Sequence, residues 1–289
     1  MLLSADRVSD RIYLQGESPR WDARHDELVF VSMAEHVVVT ASWDGARMTE
    51  TCRHDVGALA CCATPVQDGS GWLVAAGDGI VRLDRDGAVV PMVEALAPRP
   101  DVMNDGNVDP YGRFWVGSQT SPRRPEAHLW RLDPDGSIEC VLAGVTVSNG
   151  LGFSLDGLRM YYLDTLPRRT LEVFDVTSDG ALANRRDVAT ITTGNPDGLV
   201  VDDEECCWIA VWDGAVVERR APTGELLCRV ELPVPRPTAC TIVGSTLLIT
   251  TAAVGLDDDL LTAAPDSGAV FAAEIGVGAP PAVPWGFPN

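Results

Sequence analysis

Three observations predict an all-β chain folded as a six-bladed β-propeller with four-stranded blades. No stretch sustains a helical period, and short apolar runs alternate with Gly, Asp and Pro. One pattern recurs: a turn, a short apolar strand, a connector, a second apolar strand and a closing Asp-Gly-type turn. The apolar strand that follows the first turn starts at Leu28, Trp72, Phe114, Met160, Trp208 and Leu247, in steps of 44, 42, 46, 48 and 39 residues. A four-stranded blade takes ~40–50 residues. A β-sandwich or two small β domains would not repeat at this period, and the six units fill the chain, so one domain over residues 1–289 is expected.

In order, the first unit places Trp21-Asp22-Ala23-Arg24-His25 before Leu28-Val29-Phe30-Val31. The second places Asp68-Gly69-Ser70-Gly71 before Trp72-Leu73-Val74-Ala75, and the third Asp109-Pro110-Tyr111-Gly112 before Phe114-Trp115-Val116-Gly117. The fourth has Leu155-Asp156-Gly157 before Met160-Tyr161-Tyr162-Leu163, and the fifth Asp202-Asp203-Glu204 before Trp208-Ile209-Ala210-Val211. The last has Gly244-Ser245 before Leu247-Leu248-Ile249-Thr250. Pro and Gly punctuate the turns. The first and last strands are expected to complete one blade together, because ring closure removes free edges. The Pro-rich pieces at 233–237 and 279–281 read as a blade connection and a terminal tail.

Lys and Arg number 22 against 42 Asp and Glu, a formal charge of −20. A chain this acidic repels phosphate backbones and anionic lipid, so neither nucleic acid nor a membrane is an expected partner. Most of the acidity reads as surface charge, a smaller part as carboxylates gathered around a cation. The N-terminus shows no apolar segment behind a basic start, and no apolar run approaches the ~20 residues of a membrane span. A cytoplasmic protein is expected. The eight cysteines include the adjacent pairs Cys61-Cys62 and Cys206-Cys207, without zinc-site spacing. They read as small buried apolar residues.

The innermost strand of a propeller blade lines the central channel. Counting back from the apolar strands, Glu17 lies 11 residues before Leu28, Asn149 11 before Met160 and Asp197 11 before Trp208. Asp105 lies 9 before Phe114, with Asn104 beside it, and Cys61 lies 11 before Trp72. Equal offsets in equivalent blades are equivalent places in space, so these side chains are expected to converge at one channel mouth. Singly, each has a plain reading: Asn149-Gly150, Asp105-Gly106 and Asn195-Pro196-Asp197-Gly198 as turns, Glu17 as a loop residue, Cys61 as filler. Matched offsets in four blades favour a site. Carboxylates and an amide oxygen suit hard cations such as Ca²⁺, Mg²⁺ or Mn²⁺, and so few protein ligands leave room for water or substrate. A metal there could polarise a carbonyl or a phosphoryl oxygen.

Gly16-Glu17-Ser18-Pro19-Arg20-Trp21, Asn104-Asp105-Gly106 with Val108-Asp109-Pro110-Tyr111-Gly112-Arg113, Ser148-Asn149-Gly150 and Pro196-Asp197-Gly198 resemble, in this order, the gluconolactonase and senescence-marker-protein (regucalcin) family of sugar lactone lactonases. Pro265 to Phe271 is similar to that family's last blade. The resemblance implies a six-bladed propeller with one divalent metal bound by Glu17, Asn149 and Asp197. It implies Ca²⁺ first, with Zn²⁺, Mn²⁺, Mg²⁺ or Fe²⁺ as alternatives. Asp197 would be the catalytic base or would position the attacking water, and Asn104 and Asp105 would contact substrate. The implied reaction is hydrolysis of an aldonolactone-type cyclic ester, in carbohydrate metabolism. One position departs: Val102 stands where the family typically carries a substrate-contacting Arg. Gln119, Arg123 and Arg124 are candidate replacements for its polar contacts and equally candidate surface residues.

Two other functions stay open on the sequence: a phosphotriesterase-like hydrolase using the same metal mouth, and a calcium- or ligand-binding propeller without turnover.

Overall fold

The computed structural model describes residues 2–97 and 101–286. Six sheets surround a channel, each starting at the axis and running outward in sequence order. Their innermost strands are Gly16–Asp22, Ala60–Pro65, Val102–Val108, Ser148–Phe153, Asn195–Val201 and Pro237–Val243, for blades 1 to 6. The second strands, Glu27–Ser32, Gly71–Ala76, Phe114–Gln119, Arg159–Asp164, Cys207–Trp212 and Thr246–Thr251, begin within one residue of the positions expected. They are buried on both faces, which is why they read as unbroken apolar runs. Trp72, Trp115 and Trp208 on these strands are fully buried between blades.

A buried carboxylate organises the turn between first and second strands. In blade 3, Asp109 accepts the backbone N–H of Tyr111 at 2.9 Å and of Arg113 at 3.1 Å, and also Trp115 Nε1 at 2.9 Å. In blade 5, Asp202 accepts the N–H groups of Glu204 and Cys206, each at 2.9 Å, and Trp208 Nε1 at 3.0 Å. The repeated Asp is therefore a clamp joining the hairpin turn to the core tryptophan, and its recurrence comes from the fold.

Ring closure follows the expectation and goes one step further. Asp6–Arg7 pairs antiparallel with Phe271–Glu274 and completes blade 6. Leu2–Ser4 then pairs in parallel with Leu226–Glu231, so blade 5 has five strands. The C-terminal tail lies across one end of the inner strands. Backbone bonds join Asp203 N to Gly278 O, Ala282 N to Trp21 O, Trp285 N to Pro65 O and Gly286 N to Gly112 O. The tail thus crosses from blade 5 past blades 1 and 2 to blade 3. One short helix, Asp258–Ala263, was not expected; Asp257 caps it, its side chain accepting Leu260 N at 2.8 Å. Six residues with no buried side chain leave no apolar period to read. No helix among the described residues is long and apolar enough to cross a membrane.

Candidate active site

In every inner strand the pairing with the second strand slips at one place. The slips fall between Glu17 and Arg20, Ala60 and Cys62, Met103 and Gly106, Ser148 and Leu151, Pro196 and Leu199, and Pro237 and Ala239. A bulge bends the strand and re-aims a side chain. Glu17, Cys61, Asn104 with Asp105, Asn149, Asp197 and Thr238 lie at or beside these six slips, and Glu17, Asn104, Asn149 and Asp197 of them line one cavity.

The dipeptides Asp105-Gly106, Asn149-Gly150 and Asp197-Gly198 are accordingly strand residues and not turns. Their glycines serve close approach. A Cβ on Gly150 would lie 2.6 Å from Asp197 O and Leu199 N, and one on Gly198 would lie 2.4 Å from the Ala239 Cβ. Neighbouring inner strands leave no room for a side chain there.

Glu17, Asn149 and Asp197, from blades 1, 4 and 5, meet on one cavity of about 450 Å³, whose wall also includes Asn104, Gln119, Arg123, Asn195 and Trp212. Asn149 and Asp197 are buried, while Glu17 is partly accessible. Asn149 Nδ2 donates to Thr165 Oγ1 at 2.9 Å, and Thr165 Oγ1 donates to Pro196 O at 2.8 Å. This chain fixes Asn149 against the strand that carries Asp197. Gln15 Nε2 donates to Glu17 Oε1 at 3.2 Å. Asn104 Nδ2 donates to Ser148 O at 2.7 Å, and Gln119 Nε2 donates to Asn104 Oδ1 at 3.2 Å.

Asp105 lies beside the three, and its cation is Arg20, with Nη2 3.7 Å from Oδ1. Burial raises the pKa of Asp105, with Arg20 and the Gly106 N–H opposing. Burial, then the charges of Asp197 and Asp105, push Glu17 well above the carboxylate range. Burial and Asp105 do the same to Asp197, while Asn149 beside it favours the ionised form. Among the described residues, only Asp105 of these three carboxylates has a guanidinium within ion-pair distance, so the group is short of positive charge.

The donors fit a hard divalent cation. Carboxylates and amide carbonyls are the oxygen ligands such ions take. Asn195 Oδ1 on the same wall is buried without a hydrogen-bond partner, an oxygen a cation or its water could satisfy. Cys61 does not fit: its Sγ donates to Leu59 O at 3.5 Å, and burial followed by the charges of Glu17 and Asp105 pushes its pKa far up, as suits a neutral wall. A second acidic group, Asp22, His25 and Glu27, has ligand atoms within 4.8 Å of one another. Its carboxylates are already taken: Asp22 by Arg24 at 3.0 Å and His25 at 2.9 Å, Glu27 by Arg85 at 2.6 Å.

Residues 15–253 match the model of the SMP-30/gluconolactonase/LRE-like region. The chain belongs to this family. It is 35% identical over 268 residues to regucalcin of Danio rerio, covering 89% of each chain. It is 33% identical over 275 residues to a 6-deoxy-6-sulfogluconolactonase of Pseudomonas putida, covering 91% of each. Its fold matches the crystal structure of a calcium-binding protein, regucalcin, from Agrobacterium tumefaciens, with TM-score 0.90 and 24% identity over 99% of each chain. The SMP-30/gluconolactonase match runs from just before the blade 1 inner strand to just past the second strand of blade 6, and so includes every cavity residue named above.

Of the residues singled out in the sequence, Glu17, Asn104, Gln119, Arg123, Asn149 and Asp197 share the cavity, and Asp105 lies beside it. Val102 does not line it; with Gln119 to Arg123 it borders a separate depression. Arg124 is turned away and paired with Glu126 at 2.8 Å and Asp101 at 3.6 Å. Arg20, Thr165, Asn195 and Trp212 escaped sequence reasoning. In the sequence Asn195 reads as part of a turn, and Trp212, ending an apolar strand, carries no sign that it faces a cavity.

Proposed function

We propose that this chain is a divalent-metal-dependent lactonase that opens the cyclic ester of a sugar acid. The observation that carries this reading is the meeting of Glu17, Asn149 and Asp197, from three blades, on one cavity of about 450 Å³. Such a volume suits a monosaccharide-sized ligand. The family match and the sulfogluconolactonase relative support the reaction class.

Glu17, Asn149 and Asp197 would hold the cation, Ca²⁺ first, with Zn²⁺, Mn²⁺, Mg²⁺ or Fe²⁺ as alternatives. A divalent cation supplies Lewis-acid polarisation of the ester carbonyl and charge for the developing oxyanion. Asp197 takes the proton of the attacking water as general base. Water adds at the acyl carbon, the ring C–O bond breaks, the proton held on Asp197 passes to the leaving ring oxygen, and the products are a hydroxyl and a carboxylic acid that ionises to the carboxylate. Asn104 and Gln119, already joined by a hydrogen bond, present amide groups to the substrate's hydroxyls. Nine further residues, among them Gln15, Thr165, Asn195 and Trp212, complete the cavity wall.

The test is lactone hydrolysis by chelator-stripped protein, with single divalent ions added back. Activity restored by an ion supports the reading. Full activity in the stripped protein, or metal binding without turnover on any lactone, overturns it.

A further inference from the structure

Arg123 is set apart among the arginines near the mouth. Its neighbour Arg124 is neutralised by Glu126 and Asp101, whereas Arg123 has no carboxylate partner among the described residues. Its Nη1 donates to Gln119 Oε1 and to Thr120 O, the latter at 3.2 Å. Arg123 is exposed at the mouth, where it borders both the cavity that holds Glu17, Asn149 and Asp197 and the depression beside Val102. Partial burial alone shifts its pKa, downward, with no acid offsetting it.

The loop carrying it is built to hold this pose. Asp101 accepts Ser121 N at 2.7 Å and pairs with Arg124, while Thr120 Oγ1 donates to Arg124 O at 2.8 Å and accepts Arg124 N at 2.6 Å. Residues 121 and 124 are thereby fixed to the inner strand's end, and Arg123 between them is presented to the cavity. A guanidinium without an acid, with fork positions unused, asks for an oxyanion from outside the chain. In a protein of formal charge −20 such a group is not there for general solubility.

We propose that Arg123 is a specificity residue for lactones that carry a second, anionic group, a carboxylate or sulfonate, at the end of the molecule away from the ester. This rests on the lactonase reading. The ester lies toward Glu17, Asn149 and Asp197, and the anion toward Arg123. Arg123 also has a purely structural role to be separated from this one, since it holds Gln119, which in turn holds Asn104. A structural role would weaken all lactones alike.

Two measurements decide, on wild type, Arg123→Gln and Arg123→Lys. The first is hydrolysis of a glucarolactone, which has a free carboxylate, a sulfonate-bearing gluconolactone, and plain gluconolactone. Wild type is expected to prefer the anionic substrates. Arg123→Gln should lower their kcat/KM by roughly 10- to 100-fold, mostly through KM, the worth of one charge-assisted hydrogen bond. The loss on gluconolactone should be only a few-fold, and Arg123→Lys should recover part of the difference. The second is calorimetric binding of the open-chain glucarate dianion against gluconate. Arg123-dependent preference for glucarate upholds the subsite even if no lactone is turned over, which would sink the lactonase reading alone. Equal losses on charged and neutral lactones, or glucarate binding indifferent to Arg123, would overturn the inference while leaving the lactonase reading intact.

Discussion

Arg20 of blade 1 and Asp105 of blade 3 face each other across the channel, with Nη2 3.7 Å from Oδ1 and side chains only 9% and 12% exposed. Arg20 also donates to Gly106 O at 2.5 Å and to Pro19 O at 3.0 Å. It is the counter-charge beside three acids and a tie between two blades. Arg20→Leu should therefore cost about 3–5 kcal/mol near neutral pH, the usual result of orphaning a buried charge. Asp105 has a raised pKa even with Arg20 present. Without Arg20 it rises further, and lowering the pH then neutralises the orphan. The deficit in urea midpoint should shrink from pH 8 to pH 5. An unchanged deficit would mean that packing, not charge, is what Arg20 contributes.

The crowding of carboxylates predicts a variant that is more stable and less functional. Glu17 and Asp197 have folded pKa values above their ordinary ones. The sign follows: the metal-free protein is favoured at low pH and loses this stability as pH rises through the raised values. Glu17→Gln removes one of the repelling charges. Its metal-free form at pH 8 should gain on the order of 1 kcal/mol over wild type, since one pKa unit is worth ~1.4 kcal/mol. The matching rise in Tm is about 2–4 °C. The rise in wild-type Tm on adding a divalent ion should grow from pH 5.5 to pH 8, about those two pH values, because the ion displaces protons. Scanning calorimetry with and without chelator reads both. A wild-type metal-free Tm that climbs over this window contradicts the account.

Asp197→Asn keeps the shape and a carbonyl oxygen but removes the base. The expected loss in kcat is about 100- to 10,000-fold, the range of a positioned general base, with KM little changed. The metal-free fold should be no less stable than wild type, because a buried, destabilised carboxylate has gone. Hydrolysis at near wild-type rate would move the base to another residue, Glu17 or Asp105.

The propeller was legible because its period is written in sequence: the second strands are buried on both faces and announce themselves as apolar runs. The site was legible for a related reason, since a bulge at one level of each inner strand places Glu17, Asn149 and Asp197 at a common offset from those runs. What stayed hidden depends on three-dimensional direction. Arg20 sits three residues beyond Glu17, yet reaches Asp105 only because the bulge rotates the strand between them. Asn104 and Val102 are two residues apart in the same strand, but only Asn104 reaches the cavity. The terminal tail reads as loose Pro-rich sequence, and its path across the inner strands appears only in its backbone bonds to four blades.

The Asp clamps give a prediction that uses the repeat itself. Asp109 and Asp202 each stand five residues before the second strand of their blade, which begin at Phe114 and Cys207. Asp202 is fully buried, and holds Arg219 Nε at 2.8 Å as well as Trp208 and two backbone N–H groups. Asp109 holds Arg113 Nε at 2.5 Å along with Trp115 and two N–H groups. Replacing either with Ala strands an indole N–H and two backbone donors; Arg113 also loses its carboxylate, whereas Arg219 keeps Glu204 at 2.6 Å. Each should cost about 3–5 kcal/mol and lower Tm by roughly 10 °C. The two clamps share no partner and sit in blades 3 and 5, so the losses should add to within about 0.5 kcal/mol in the double variant. Neither residue lines the cavity, so kcat measured well below the melting point should stay near wild type. Strong non-additivity in urea unfolding would show that the blades are coupled more tightly than their separate turns suggest.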